Sequence, residues 1–291
     1  MRQIGYSVFM LLAFIAMGSS SQASRHDSHS KSLDSLSLLL KGFDAADAHN
    51  HDRAIALFSQ VIEAGTLSTP HLSTAHRARA DAYFQNGQIK TSVADYARAL
   101  HLNPHNIAAY INRGNLRTRL GKYDLALEDL DNAINLDPHD ALAFQNRGNI
   151  HFFSDNFSKA ITDYRRSLGL EPSDLFSAIW LYLAERRAGI DGRAGLLAHS
   201  QGQNMEIWPG PVVSLYLDLI SATQLVHVAN RHTGHEKDEM ISEAHFYSGE
   251  FFLMNRQTEL AVNHFRQTIA RGPNWLTEFH AAKVELNKLG H

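Results

Sequence analysis

Three sets of side chains in this sequence have the types and spacing to do chemistry. The first pairs cations with acids. Arg79, Arg113 and Arg147 recur at a constant interval (113 − 79 = 34, 147 − 113 = 34), and an acid follows sixteen positions after each: Asp95, Asp129 and Asp163. Guanidinium and carboxylate groups held at a fixed offset form two-pronged, charge-assisted hydrogen bonds. The second set is amide: Asn112/Asn115 and Asn146/Asn149, each an i, i+3 pair within the repeated letters NRGN. An amide donates and accepts at once, which suits an extended peptide backbone. The third is imidazole. The chain has 18 His, and His227, His232 and His235 would gather around a metal if their loop folded back.

Each set can be weighed from its surroundings. The Arg and Asp columns change together elsewhere, to Ser248 with His264 and to Leu181 with Leu197. Joint loss points to an ion pair, within a repeat or between neighbours, that fixes register; catalysis is not implied. The three histidines lack a cysteine or a placed carboxylate to complete a metal site, so they are read as solvated loop residues. His235-Glu236 begins a metalloprotease motif, but Glu239 and Met240 follow without the second histidine. There is no G-x-S-x-G and no phosphate loop, and Gly189, Gly192 and Gly195 sit at a helix boundary, not after a strand. The expectation is a non-enzyme with no cofactor and no metal. With 27 Lys+Arg against 30 Asp+Glu, no basic face for nucleic acid is expected. Protonation of most histidines near pH 5 would carry the net charge from −3 to clearly positive.

The elements that position these groups follow from the same period. Ala80, Gly114 and Gly148 share one column; Ser92, Ala126 and Ala160 a second; Pro104, Pro138 and Pro172 a third. Each unit reads as two helices. Tyr110, Leu116 and Leu120 stripe the first, Gly121-Lys122 turns, Leu125 to Leu136 carry the second, and Pro138 ends it. The small columns mark where the two helices cross. This pattern resembles the tetratricopeptide repeat (TPR) signature, whose period is about 34 residues. It extends upstream through Gly42, Ala54 and Phe58 and downstream through Gly249, Ala261, Phe265 and Pro273. The expected fold is all-α: a TPR helical-hairpin solenoid of about five to seven repeats, two of them degenerate. Residues 175–241 are irregular, and a capping helix closes the C-terminus.

Residues 1–23 read as an export signal: Arg2, an apolar run from Val8 to Met17, and Ser21-Gln22-Ala23 as the cleavage site. That run is shorter than the roughly 20 residues a membrane span takes. Residues 24–34 read as a flexible polar lead-in and 35–291 as the solenoid domain. The chain has no Cys, so a lipid-carrying cysteine after the signal is excluded and a periplasmic location is expected. The first repeat carries more apolar residues than one buried stripe needs (Leu36, Leu38, Leu39, Leu40, Phe43), which predicts a homodimer.

LFSAIWLYLAERR (175–187), EAHFYSGEFF (243–252) and TEFHAAKVELNKLG (277–290) resemble the NlpI-like periplasmic TPR proteins. The resemblance implies a helical homodimer without enzymatic activity. It implies an adaptor that presents peptidoglycan hydrolases to a tail-specific PDZ protease and scaffolds cell-wall enzymes. Members of that family are lipoproteins, whereas Ser19 or Ser20 stands here where the lipidated cysteine belongs.

For partner binding, the repeats starting at 73, 107 and 141 predict a groove lined by Arg77, Asp81, Asn112, Asn115, Arg119, Asn146, Asn149 and Phe152. The amides would take backbone, the two cations acids, and Phe152 an apolar side chain; alternatively the asparagines only keep the groove wet. Two other readings stay open: a co-chaperone gripping client tails in this groove, and docking on the irregular 175–241 region.

Overall fold

The structure, a computed structural model, describes residues 22–234 and 236–291, all helix and connecting turns. Residues 1–21 of the expected export signal, and His235, lie outside the described residues. The chain groups into two compact units, residues 1–88 and 89–291. Among the described residues no helix is long and apolar enough to cross a membrane.

The described part of the first unit is three helices: α1 (Gln22–Asp47), α2 (His51–Ala64) and α3 (Thr69–Gln85). The polar stretch 24–34, read as a flexible lead-in, falls within α1. Asn50 caps α2 by accepting from the Arg53 N–H at 3.2 Å, and the helix ends on Gly65 in the left-handed region at φ 62°. The α1–α2 crossing is at Gly42, where a Cβ would collide with the Phe58 ring. Leu39, Ala45, Ala54, Phe58 and Val61 form the core with Ala75, Ala78 and Ala82 of α3. Leu33 and Leu40, by contrast, are 51% and 48% exposed on α1.

The second unit runs from α4 (Ile89–Leu102) through α5 (Ile107–Arg119), α6 (Tyr123–Leu136), α7 (Ala141–Phe153), α8 (Phe157–Leu170) and α9 (Leu175–Arg187). Short helices follow, α10 (Arg193–Ser200), α11 (Gly210–Tyr216) and α12 (Ala222–Arg231), then α13 (Lys237–Met254), α14 (Thr258–Arg271) and α15 (Thr277–Lys288). The repeat sets the start of each hairpin. Asn106, Asp140 and Asp174 occupy one column, and each side chain accepts from a backbone N–H of the helix it opens, at 3.1, 2.9 and 3.1 Å. The turn inside each hairpin is equally regular: Gly121, Asp155 and Gly189, spaced by 34 (155 − 121, 189 − 155), have φ of 70°, 58° and 80°. Helices cross at the small column. A Cβ on Gly148 would meet the Tyr164 ring at 2.8 Å, and one on Gly249 the Phe265 ring at 2.6 Å.

The irregular segment contributes a large share of this unit's core. Every residue of α9 from Ser177 to Glu185 is buried, a helix apolar all round because other helices surround it. Trp180 meets Phe152 at 5.2 Å and Phe246 at 5.5 Å between ring centroids, and Tyr182 meets Tyr216 at 5.0 Å. The departure from repeat consensus in α9 is therefore a packing requirement.

Candidate functional site

The Arg–Asp columns resolve into pairs inside a repeat. Arg113 donates from Nε to Asp129 Oδ2 at 3.0 Å and from Nη2 to Oδ1 at 2.6 Å. Arg147 meets Asp163 the same way, at 2.9 and 2.7 Å. Arg147 also donates to Asp131 at 2.7 Å, which ties its repeat to the preceding one. Burial pushes the Asp129 carboxyl upward, and Arg113 and Arg117 oppose that shift. In the first unit Arg79 donates to Ser59 Oγ at 2.9 Å. These groups align helices and leave no reactive atom displayed.

The expected groove residues divide by unit. Arg77 and Asp81 belong to the first, where they form an i, i+4 ion pair at 2.7 Å on α3. In the second, Asn112, Asn115 and Arg119 lie half-buried on α5, and Asn146 half-buried on α7. Two expectations need correction. Phe152 is 1% exposed, packed among Phe157, Trp180 and Phe153, so it is a core residue and no aromatic surface. Asn149 is 8% exposed and its Oδ1 accepts from the buried Tyr164 hydroxyl at 2.7 Å. Its amide holds the helix crossing together instead of facing a peptide.

α15 covers part of the inner face. Two 34-residue columns line that face, Asn112, Asn146 and Trp180, and Arg119, Phe153 and Arg187, and α15 meets all of the second and Trp180 of the first. In the second, Arg119 attracts Glu278, Phe153 packs edge-on to His280 at 5.1 Å, and Arg187 donates to Glu285 at 2.5 Å. In the first column, Trp180 hydrogen-bonds Glu278. The Tyr123 hydroxyl and His280 Nε2 are 3.1 Å apart, Tyr247 donates to Glu278 at 2.7 Å, and Lys288 reaches Asp155 at 2.7 Å. Sequence reading assigned α15 to covering the last repeat; it packs on α13 and α14 and also reaches back to α5, α6 and α7. Trp180, Phe153 and Arg187 escaped notice, although the period that placed Asn112 and Arg119 marks them too.

The buried carboxylates follow from this closure. Burial pushes Glu278 up, opposed by hydrogen bonds from Tyr247 and Trp180. Burial also pushes Glu243 well up, and Glu278 adds to that; Trp208 Nε1 donates to it at 2.5 Å. Away from these contacts lies the amide stretch Asn112, Asn115 and Asn146, each half-buried. The Asn146 Nδ2 atom is buried there with no hydrogen-bond partner. Of the three loop histidines, His227 is exposed on α12 and His232 half-buried after it. No group of three or more metal-ligating side chains forms among the described residues.

Comparison with known proteins agrees with this architecture. A TPR-repeat family profile matches residues 80–121, and tetratricopeptide-repeat profiles match 107–140 and 141–174. Among solved structures, a tetratricopeptide repeat protein from Parabacteroides merdae is similar at a TM-score of 0.60 and 16% identity, over 87% of this chain and 99% of that one. MamA protein is similar at 0.53 and 17% identity, over 57% of this chain and 92% of that one. Residues 80–174 carry tetratricopeptide repeats, and the fold around them is that of the TPR structures above.

Proposed function

We propose that this protein is a non-enzymatic adaptor of the cell envelope, exported by residues 1–23 and left in the periplasm after cleavage at Ala23. Its partners in this reading are envelope proteins, peptidoglycan hydrolases and a tail-specific PDZ protease among them, as the NlpI-like resemblance implies. The observation that carries the adaptor reading is the unpartnered Asn146 Nδ2, a buried donor on the inner face of the repeats beside half-exposed Asn112 and Asn115. A buried donor without a partner costs about 1–3 kcal/mol, and a bound backbone carbonyl would remove that cost. The cations fit the co-chaperone reading less well, since Arg77 already pairs with Asp81 and Arg119 faces Glu278. Exposed Leu33 and Leu40 on α1 support a homodimer built through that helix; light scattering at micromolar concentration should give twice the chain mass.

The test is capture from envelope extract by the wild-type chain and by a chain with Asn112, Asn115 and Asn146 changed to Ala. Circular dichroism should be unchanged, because these side chains are half-exposed. Client capture should weaken at least about tenfold, or about 1.4 kcal/mol. Unchanged capture moves the site to the irregular segment, where Ile207 and Leu219 are 63% and 69% exposed. Retention of no envelope protein by either chain would overturn the adaptor reading.

A further inference from the structure

We infer that the inner face of α5, α7, α9 and α13 is a groove for an amphipathic helix with two carboxylates seven residues apart, and that α15 is the chain's own exchangeable occupant of it. The inference rests on the adaptor reading and adds the chemistry of the partner and a way of controlling access.

The seating of α15 defines what the groove accepts. Glu278 and Glu285 (285 − 278 = 7) lie two turns apart on one face. Glu278 meets the Tyr247 hydroxyl and faces Arg119, while Glu285 meets Arg187. Between them Ala281 and Ala282 are buried, small residues that let the helix approach closely, and Leu286 supplies the third buried apolar side chain. His280 fits between the Tyr123 hydroxyl and the Phe153 ring. A partner helix of the pattern Glu-x-His-Ala-Ala-x-x-Glu-Leu would find the same contacts.

Exchange is feasible because of how α15 is held. α9 buries an unbroken run from Ser177 to Glu185 and has no aqueous alternative. α15 buries two alanines and a leucine, with Val284 and Leu289 partly buried against the core, and is tied down by four polar contacts: Glu278–Tyr247, His280–Tyr123, Glu285–Arg187 and Lys288–Asp155. Polar groups recover hydrogen bonds from water on release, so their loss costs little. The hydrogen bonds that tie α15 to other helices run between side chains, so it can open as a local unit. While tethered it competes at a high effective concentration, which restricts the groove to partners that match it well.

Hydrogen exchange on the full chain tests the premise. Amides of α15 should open at least tenfold more often than those of α9 and α13; equal protection overturns the inference. Specificity is tested with a labelled peptide of residues 274–291. A full chain carrying Glu278→Gln and Glu285→Gln should bind this peptide at least tenfold more tightly than the wild-type chain does. The same peptide with both glutamates changed to glutamine should bind at least tenfold more weakly. Because the chain has no Cys, Asp155→Cys and Lys288→Cys can be joined by a short bismaleimide, which should abolish peptide binding. Binding that survives the cross-link, or that ignores the glutamates, overturns the groove assignment. These readouts use the peptide and not envelope clients. Their failure with client capture intact would therefore sink helix exchange and leave the adaptor reading standing.

Discussion

Arg113 on α5 and Asp129 on α6 meet through two parallel hydrogen bonds, sixteen residues apart and on opposite helices of one hairpin. Arg117 adds another, to Asp129 Oδ2 at 2.7 Å. The Asp129 side chain is 1% exposed and the Arg113 and Arg117 side chains 13% and 16%, so the cluster is screened little by solvent. A double-mutant cycle on Arg113 and Asp129 should give a coupling of about 1–3 kcal/mol by chemical denaturation. Asp129→Ala alone should cost about 3–5 kcal/mol, since it leaves two largely buried cations without their partner. Additive single effects would mean the pair contributes nothing as a pair.

The glycine columns are not equivalent, and alanine substitution should rank them. At Gly148 a new Cβ meets the Tyr164 ring at 2.8 and 3.0 Å, and that ring is fixed by its hydroxyl bond to Asn149. Gly148→Ala should destabilise by about 1–3 kcal/mol through overpacking. Gly114→Ala meets Leu130 at the longer distance of 3.2 Å and should cost less. Gly195, inside α10, has nothing within 4 Å, and Gly195→Ala should stabilise by about 0.5–1 kcal/mol through helix propensity alone. Thermal melts of the three variants read the order directly.

Phe152→Ala separates core from surface. Packed against Phe157 and Trp180 at centroid distances of 5.5 and 5.2 Å, the ring leaves a cavity when removed, at a cost of about 3–5 kcal/mol. A surface aromatic in the same helix would cost a few tenths. Urea unfolding of this one variant decides between the two placements.

The period made the hairpins legible, because capping, turning and crossing each impose a residue type at one place per repeat. Gly114 and Gly148 as crossings and the Arg113 and Arg147 pairs were read from columns; the caps Asn106, Asp140 and Asp174 share a column too, and the structure identified them. What the period could not carry is what covers a column. Phe152 and Asn149 stand in positions that face solvent when a repeat is viewed alone. Here Trp180 of α9, itself backed by Phe246 of α13, covers one, and the helix crossing claims the other. Those contacts join positions far apart in the chain, as do the bonds of α15 to Tyr123 and Asp155. No local pattern encodes such closure. The apolar run in α9 was visible as irregularity, and its cause is burial on every side.

Acid should loosen the closure by α15 through His280. Burial is the main reason its imidazole falls to about 4, and the positive charges of Arg119 and Lys283 push the same way. His245 falls to about 4 as well, by burial and by the neighbouring His264 and Arg271. In the unfolded chain a histidine titrates near ~6.5. Between pH 6.5 and 4 the unfolded state therefore binds protons that the folded state refuses, so stability is full above that window and falls as pH drops through it. The buried Glu243, pushed up by burial and by Glu278, acts in the opposite sense, holding its proton in the folded state and favouring it as pH falls. Whole-protein curves mix the two, and one substitution separates them. His280→Gln keeps a polar partner for the Tyr123 hydroxyl and removes the titration. Between pH 6.5 and 4 this variant should lose less stability in urea than the wild type, by an amount on the order of 1 kcal/mol given its partial exposure. In the wild type, the NMR signals of His280 and His245 should stay those of neutral rings until about pH 4. Titration of His280 at ~6.5, the value of a free imidazole, would show that α15 does not seal the ring away from water.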